Sequence, residues 1–132
     1  MKSLALTLFT GLMASNVSAQ EQIGPDAFLE LAVGRTLSFT NQVSGTLVGM
    51  EQFLRHDLSV WADETGRCTY GRIEKRGPLL CFLYEDDPDP NNCWVPFMDE
   101  GTLLVLSQTT QELQRISDIS KEPVICEGAP TS

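Results

Sequence analysis

Acidic side chains outnumber basic ones two to one in this chain, and four of the 18 acids gather in one stretch. Tyr84-Glu85-Asp86-Asp87-Pro88-Asp89-Pro90-Asn91-Asn92 brings four carboxylates and two amides into one short stretch. Asp87, Asp89 and Asn91 copy the opening ligand spacing of a calcium loop, in which alternate residues turn oxygens inward. The remainder of that pattern is absent: Asn92 stands where the turn needs Gly, and Met98 where a bidentate Glu would close the site. The segment therefore reads as a solvated acidic loop stiffened by Pro88 and Pro90. Its Glu85, Asp86, Asp87, Asp89 and Asn91 form the candidate binding surface, with Asp87, Asp89 and Asn91 as a weak cation site. Crowded carboxylates of this kind are relieved by solvent, a cation or a basic partner.

Catalytic arrangements are hard to build from what remains. His56 is the only histidine, in Leu54-Arg55-His56-Asp57, where two strands should turn; this marks it as an exposed turn residue. There is no G-x-S-x-G elbow, H-E-x-x-H pair or phosphate loop. No catalytic residue is assigned and no cofactor is expected. A carboxylate pair working as acid and base stays open only as a hydrolase alternative, because 18 acids make close pairs common without catalysis.

The four cysteines point to compartment and covalent framework. An even count in a short chain reads as two disulfides in an oxidising environment. If Leu79–Tyr84 and Asn92–Met98 fold back about Asp87, Cys81 and Cys93 fall opposite each other on one face. Cys68 and Cys126 are left to pair with each other. The start of the chain agrees with export. Met1-Lys2-Ser3 is followed by an apolar run, Leu4 to Ala14, and by Val17-Ser18-Ala19, as in a secretory signal peptide cleaved before Gln20. That run is shorter than the roughly 20 residues of a membrane span. Residues 1–19 are thus expected to be a leader and 20–132 a single secreted or periplasmic domain, its tail extended over 123–132.

Composition narrows the partners. A net charge of −9 and a hydrophobic content of 42% describe an acidic globular protein. Such a surface disfavours nucleic acid and anionic membranes and suits a cationic protein.

The elements that must position the acidic loop can be read from the spacing of apolar residues. Gly24-Pro25-Asp26 opens a short apolar segment through Val33, closed by Gly34, which predicts a helix. Strands are expected near Thr36–Thr40, Thr46–Phe53, Asp57–Ala62, Arg67–Lys75, Leu79–Tyr84, Asn92–Met98, Thr102–Ser107 and Glu112–Ser117. Asp63-Glu64-Thr65-Gly66, Lys75-Arg76-Gly77-Pro78 and Asp99-Glu100-Gly101 are links too short for anything but antiparallel neighbours. The fold class is mainly β: an antiparallel meander forming a small barrel or curled sheet, with one N-terminal helix plugging an end. Trp61, Tyr70, Phe82, Tyr84, Trp94 and Phe97 are assigned to its core.

The order of several of these features resembles a known group. Leu31–Val33 with Gly34-Arg35-Thr36 precedes Gly66-Arg67-Cys68-x-x-Gly71, then Cys81-Phe82-x-Tyr84 and Cys93-Trp94. This resembles a group of small uncharacterised secreted bacterial proteins with a short helix and a Cys-containing β-meander. The resemblance covers residues 26–107 and implies a fold without an activity. In size and export the chain is also similar to small periplasmic barrels that inhibit secreted proteases or lysozymes, at the level of fold alone.

From these readings the expected function is a non-enzymatic module that binds a protein partner through its acidic loop. The alternative is a carrier whose barrel encloses a small apolar ligand among Trp61, Phe82, Trp94 and Phe97.

Overall fold

The computed structural model describes Gly11 and residues 20–128. The expected leader, apart from Gly11, and the end of the tail lie outside the described residues.

The helix α1 (Pro25–Ala32) begins where the sequence has a Pro at the first turn and an acid, Asp26, beside the positive end of the helix dipole. Its buried residues, Phe28, Leu29 and Ala32, lie on one face. Gly34, at φ +81°, then reverses the chain, and its N–H donates to the carbonyl of Phe53 at 2.8 Å. A helix of two turns is not stable alone. Here it is held by the sheet that follows.

Among the described residues nine strands succeed one another: β1 (Glu21–Gln22), β2 (Thr36–Asn41), β3 (Leu47–Arg55), β4 (Leu58–Asp63), β5 (Cys68–Arg76), β6 (Leu79–Tyr84), β7 (Cys93–Asp99), β8 (Thr102–Ser107) and β9 (Leu113–Ser120). From β2 to β9 each strand pairs antiparallel with the next, and β9 returns to β2, with Leu37 opposite Ile119 and Phe39 opposite Ile116. The meander therefore closes into an eight-stranded barrel. Closure removes the exposed edges that an open curled sheet would leave.

The eight strands of the barrel are those read from the sequence, with ends moved by up to three residues. β1 was not legible, since two residues carry no alternation to detect. Its place has a cause in the seam beside it. β6 and β7 share only two residue pairs, Leu80 with Trp94 and Cys81 with Cys93. Past that point β7 leaves β6, and Pro96 has no N–H to offer a neighbour. β1 takes the vacated edge, pairing Gln22 with Phe97 and Glu21 with Met98, and the Ile23 N–H donates to the Pro96 carbonyl at 3.0 Å.

The core fills the end of the barrel nearest α1. Phe28, Leu29 and Ala32 pack against Leu37, Phe53, Ile73, Leu80 and Leu103. Phe53 is fully buried and meets Phe28 edge-on at 5.8 Å and Phe82 at 6.2 Å between ring centroids. Truncating such a side chain typically costs about 3–5 kcal/mol.

Two disulfides staple this framework, with the pairing read from the hairpin register. Cys81 and Cys93 are direct partners across β6 and β7, with Cα atoms 4.0 Å apart. Cys68 at the start of β5 is bonded to Cys126. The tail reaches it as an irregular strap, held where the Val124 N–H meets Gln52 Oε1 at 3.2 Å and the Glu127 N–H meets the Gly66 carbonyl at 2.7 Å.

Candidate functional site

With α1 blocking one end, the interior is open only toward the other. A cavity of about 500 Å³ enters there and reaches Phe28 of the helix. An eight-stranded barrel is at the size where the interior either fills with side chains or holds one small ligand. This interior is divided between the two, packed near the helix and hollow near the loops.

Aromatic rings build the walls: Phe39, Trp61, Phe82, Tyr84 and Trp94. Alternation along β4 and β6 sends Trp61 inward, as it does Phe82 and Tyr84. Two glycines make room for the larger rings. A Cβ on Gly49 would overlap the Trp61 ring, and a Cβ on Gly71 would lie 2.7 Å from the Tyr84 ring. Neither position has a turn to serve; both are strand interiors where a ring lies flat on the backbone. Trp61 and Tyr84 are 6.4 Å apart, and Tyr84 stacks on Phe82 at 6.2 Å.

One carboxyl sits inside. Glu51, on β3, is 1% exposed and borders the cavity. The Tyr84 hydroxyl donates to its Oε2 at 2.9 Å, and the Ser59 hydroxyl bonds its Oε1. Both partners are neutral. Burial pushes the Glu51 carboxyl up to about 8, and the hydrogen bonds from Ser59 and Tyr84 only partly oppose this. Burial and the neighbouring Glu51 hold the Tyr84 phenol well above its ordinary range. Glu51 is the one buried carboxylate among the described residues. A signal for it was present: it lies two residues before Phe53, on the inward face of a strand whose other inward positions carry no charge. A lone inward acid does not stand out by composition among 18 acids.

The rim is acidic. Asp86, Asp87, Asp89 and Asn91 line the mouth, joined by Asp63, Glu112 and a single cation, Arg67. Arg67 lies 4.0 Å from Asp63 and 3.6 Å from Asp86. Hydrogen bonds from Thr65, first its hydroxyl, hold the Asp63 carboxyl below the usual carboxylate range. The acidic loop is strapped at several points. The Glu85 N–H donates to the Tyr70 carbonyl at 3.0 Å, Arg76 donates to the Pro90 carbonyl at 2.5 Å, and Thr109 donates to the Asn91 carbonyl at 2.8 Å. Asn92 accepts from the Trp94 indole N–H at 2.8 Å, tying the loop's end to the cavity wall.

The sequence-derived site residues thus divide. Asp86, Asp87, Asp89 and Asn91 come together at the mouth, whereas Glu85 faces a separate shallow groove beside Tyr70 and Pro88. Asp89 uses a carboxylate oxygen to accept the Asn91 N–H at 2.9 Å, closing the loop on itself. Among the described residues no group of three or more His, Cys, Asp or Glu is placed to hold a metal ion. Trp61, Phe82 and Trp94 line the cavity, but Phe97 does not, because alternation along β7 sends Trp94, Pro96 and Met98 inward and Phe97 to the outer face. Tyr70 is not core either: it is 52% exposed, since its neighbours Thr69 and Gly71 take the inward positions. His56 lies exposed in the β3–β4 turn, 3.7 Å from Glu30.

No family model, curated protein or solved structure matches the chain.

Proposed function

We propose that this barrel is a non-catalytic binding domain that holds a small, largely apolar molecule in its open end. One observation carries the reading: a cavity of about 500 Å³, walled by aromatic rings and stopped by a helix. That volume lies within the 300–1,000 Å³ typical of small-molecule sites, where a few polar groups among apolar walls orient the ligand. Glu51 and Tyr84 are such groups, with Ser59 bonded to Glu51 behind the wall. The walls are preformed, since Gly49 and Gly71 seat two of the rings and the Cys81–Cys93 bond ties the strands that flank the acidic loop. Preformation lowers the ordering cost of binding. The reading favours the carrier over the hydrolase, because among the described residues Glu51 has no second buried carboxylate as a partner.

A second reading has its own support. Glu85, Asp86, Asp87 and Asp89 are exposed on a strapped loop, a surface suited to a cationic protein through steering. In either case we propose that the chain is exported, a compartment compatible with both disulfides.

Occupancy is directly measurable, because both tryptophans of the chain, Trp61 and Trp94, line the cavity. A neutral fluorescent naphthylamine should quench both by energy transfer in saturable fashion. Val105→Trp, which fills the cavity floor, should abolish it. Dye binding that survives Val105→Trp with the fold intact would reject the cavity as the site.

A further inference from the structure

We propose that the ligand of this cavity is a small apolar body bearing a cationic nitrogen, and that Glu51 receives that cation. The inference rests on the cavity reading above and names the chemistry that the cavity selects.

The lining is unbalanced in charge. Glu51, Asp63, Asp86, Asp87, Asp89 and Glu112 face one basic residue, Arg67, and that guanidinium already lies beside Asp63 and Asp86. An anion entering this mouth meets repulsion, and a neutral molecule gains nothing from the rim; a cation is drawn in. Inside, it meets the rings of Trp61, Tyr84, Phe82 and Trp94, and aromatic rings attract cations.

Glu51 is the end of that path. The elements packed around it bring neutral groups. β4 supplies Ser59, β6 supplies Tyr84, β5 supplies Gly71 under the Tyr84 ring, and β2 and α1 supply Phe39 and Phe28. The other charged groups of the cavity, Asp63, Arg67, Asp86, Asp87, Asp89 and Glu112, belong to its rim. The carboxyl is therefore buried without a counter-ion. Each oxygen takes one hydrogen bond from a neutral hydroxyl, which leaves a lone pair on each for another donor. A buried carboxyl in that position keeps its proton until a positive partner arrives.

The proton balance follows. An alkylammonium enters with its charge, Glu51 gives its proton to solvent, and the bound pair is ammonium with carboxylate. One proton leaves per ligand bound. Since burial holds the free carboxyl at about 8, affinity should rise with pH below that value, by up to ~50-fold between pH 6 and 8.

The test uses the full oxidised chain with hexylammonium, 1-hexanol and hexanoate as probes. Tryptophan fluorescence reads affinity, and calorimetry in two buffers of different ionisation enthalpy counts protons. Hexylammonium should bind at least tenfold tighter than hexanol, and hexanoate weakest. Wild type should release about one proton at pH 7. Glu51→Gln should lose the proton release and the preference while still binding hexanol. Should that variant fail to fold, the proton count on wild type decides. Hexanol or hexanoate bound as tightly as hexylammonium, or hexylammonium bound without proton release, overturns the inference and leaves the cavity reading standing. Failure of all three probes to bind overturns both.

Discussion

Replacing Glu51 by Gln isolates the energetic cost of burying a carboxyl beside neutral partners. In the unfolded chain this group titrates near its ordinary value of 4.5, and in the barrel at about 8. Between those values the native state holds a proton that the unfolded state has lost. Stability must therefore fall as pH rises through that window, at no more than ~1.4 kcal/mol per unit, and level off above it. Across the window the loss amounts to about 5 kcal/mol, and at pH 7 to about 3 kcal/mol. The lowered carboxyls of Asp26, Asp63 and Glu74 act in the opposite sense and only at lower pH. Glutamine keeps the shape, accepts from Tyr84 and donates to Ser59, and has no proton to lose. Glu51→Gln should match wild type near pH 4.5 and be the more stable protein at pH 8. Urea unfolding at several pH values, followed by tryptophan fluorescence, gives both curves. A wild-type stability that is flat from pH 5 to 8 would refute the argument, as it would mean that Tyr84 and Ser59 already hold an ionised carboxylate at no cost.

Other expectations follow from the same geometry. Gly71→Ala should cost about 1–3 kcal/mol by pushing the Tyr84 ring off the β5 backbone, read as a lower urea midpoint and an altered near-ultraviolet spectrum. The disulfides should differ in reducibility, since Cys81 and Cys93 are buried whereas Cys68 and Cys126 are half-exposed; timed alkylation under mild reductant should label Cys68 and Cys126 first. Removing the 58-residue link should cost more than removing the 12-residue one, about 4 against about 3 kcal/mol in the chain-entropy account, as unfolding midpoints of the paired Ser variants would show. Asn at Asp86, Asp87 and Asp89 should leave the melting temperature within a few degrees of wild type while weakening hexylammonium binding and flattening its salt dependence. Unchanged binding would remove the loop from the mechanism.

The barrel was legible because its signals are local. Each strand announces itself by alternation, and links such as Asp99-Glu100-Gly101, with positive φ at Glu100 and Gly101, permit only antiparallel return. Placing Cys81 opposite Cys93 needed nothing more than the hairpin's midpoint. The site was less legible because a cavity is defined by what is missing from the interior, and composition does not record empty space. Phe82 and Trp94 read first as core and only in the carrier alternative as cavity wall. Gly49 and Gly71 looked like weak strand residues, not seats for rings. Glu51 was visible as a charge in an inward series with Phe53, but its meaning required Ser59 from the next strand and Tyr84 from β6, three strands on.

The most direct test of a ligand-holding barrel is a nitrogen–proton correlation spectrum of the two indole N–H groups during titration with hexylammonium. Trp61 and Trp94 are the only two such signals, and both residues border the cavity. Both resonances should move in a saturable way, while the amide of exposed Tyr70 on the outer wall stays fixed. Indole signals that hold still while outer-face amides shift would contradict a ligand in the barrel.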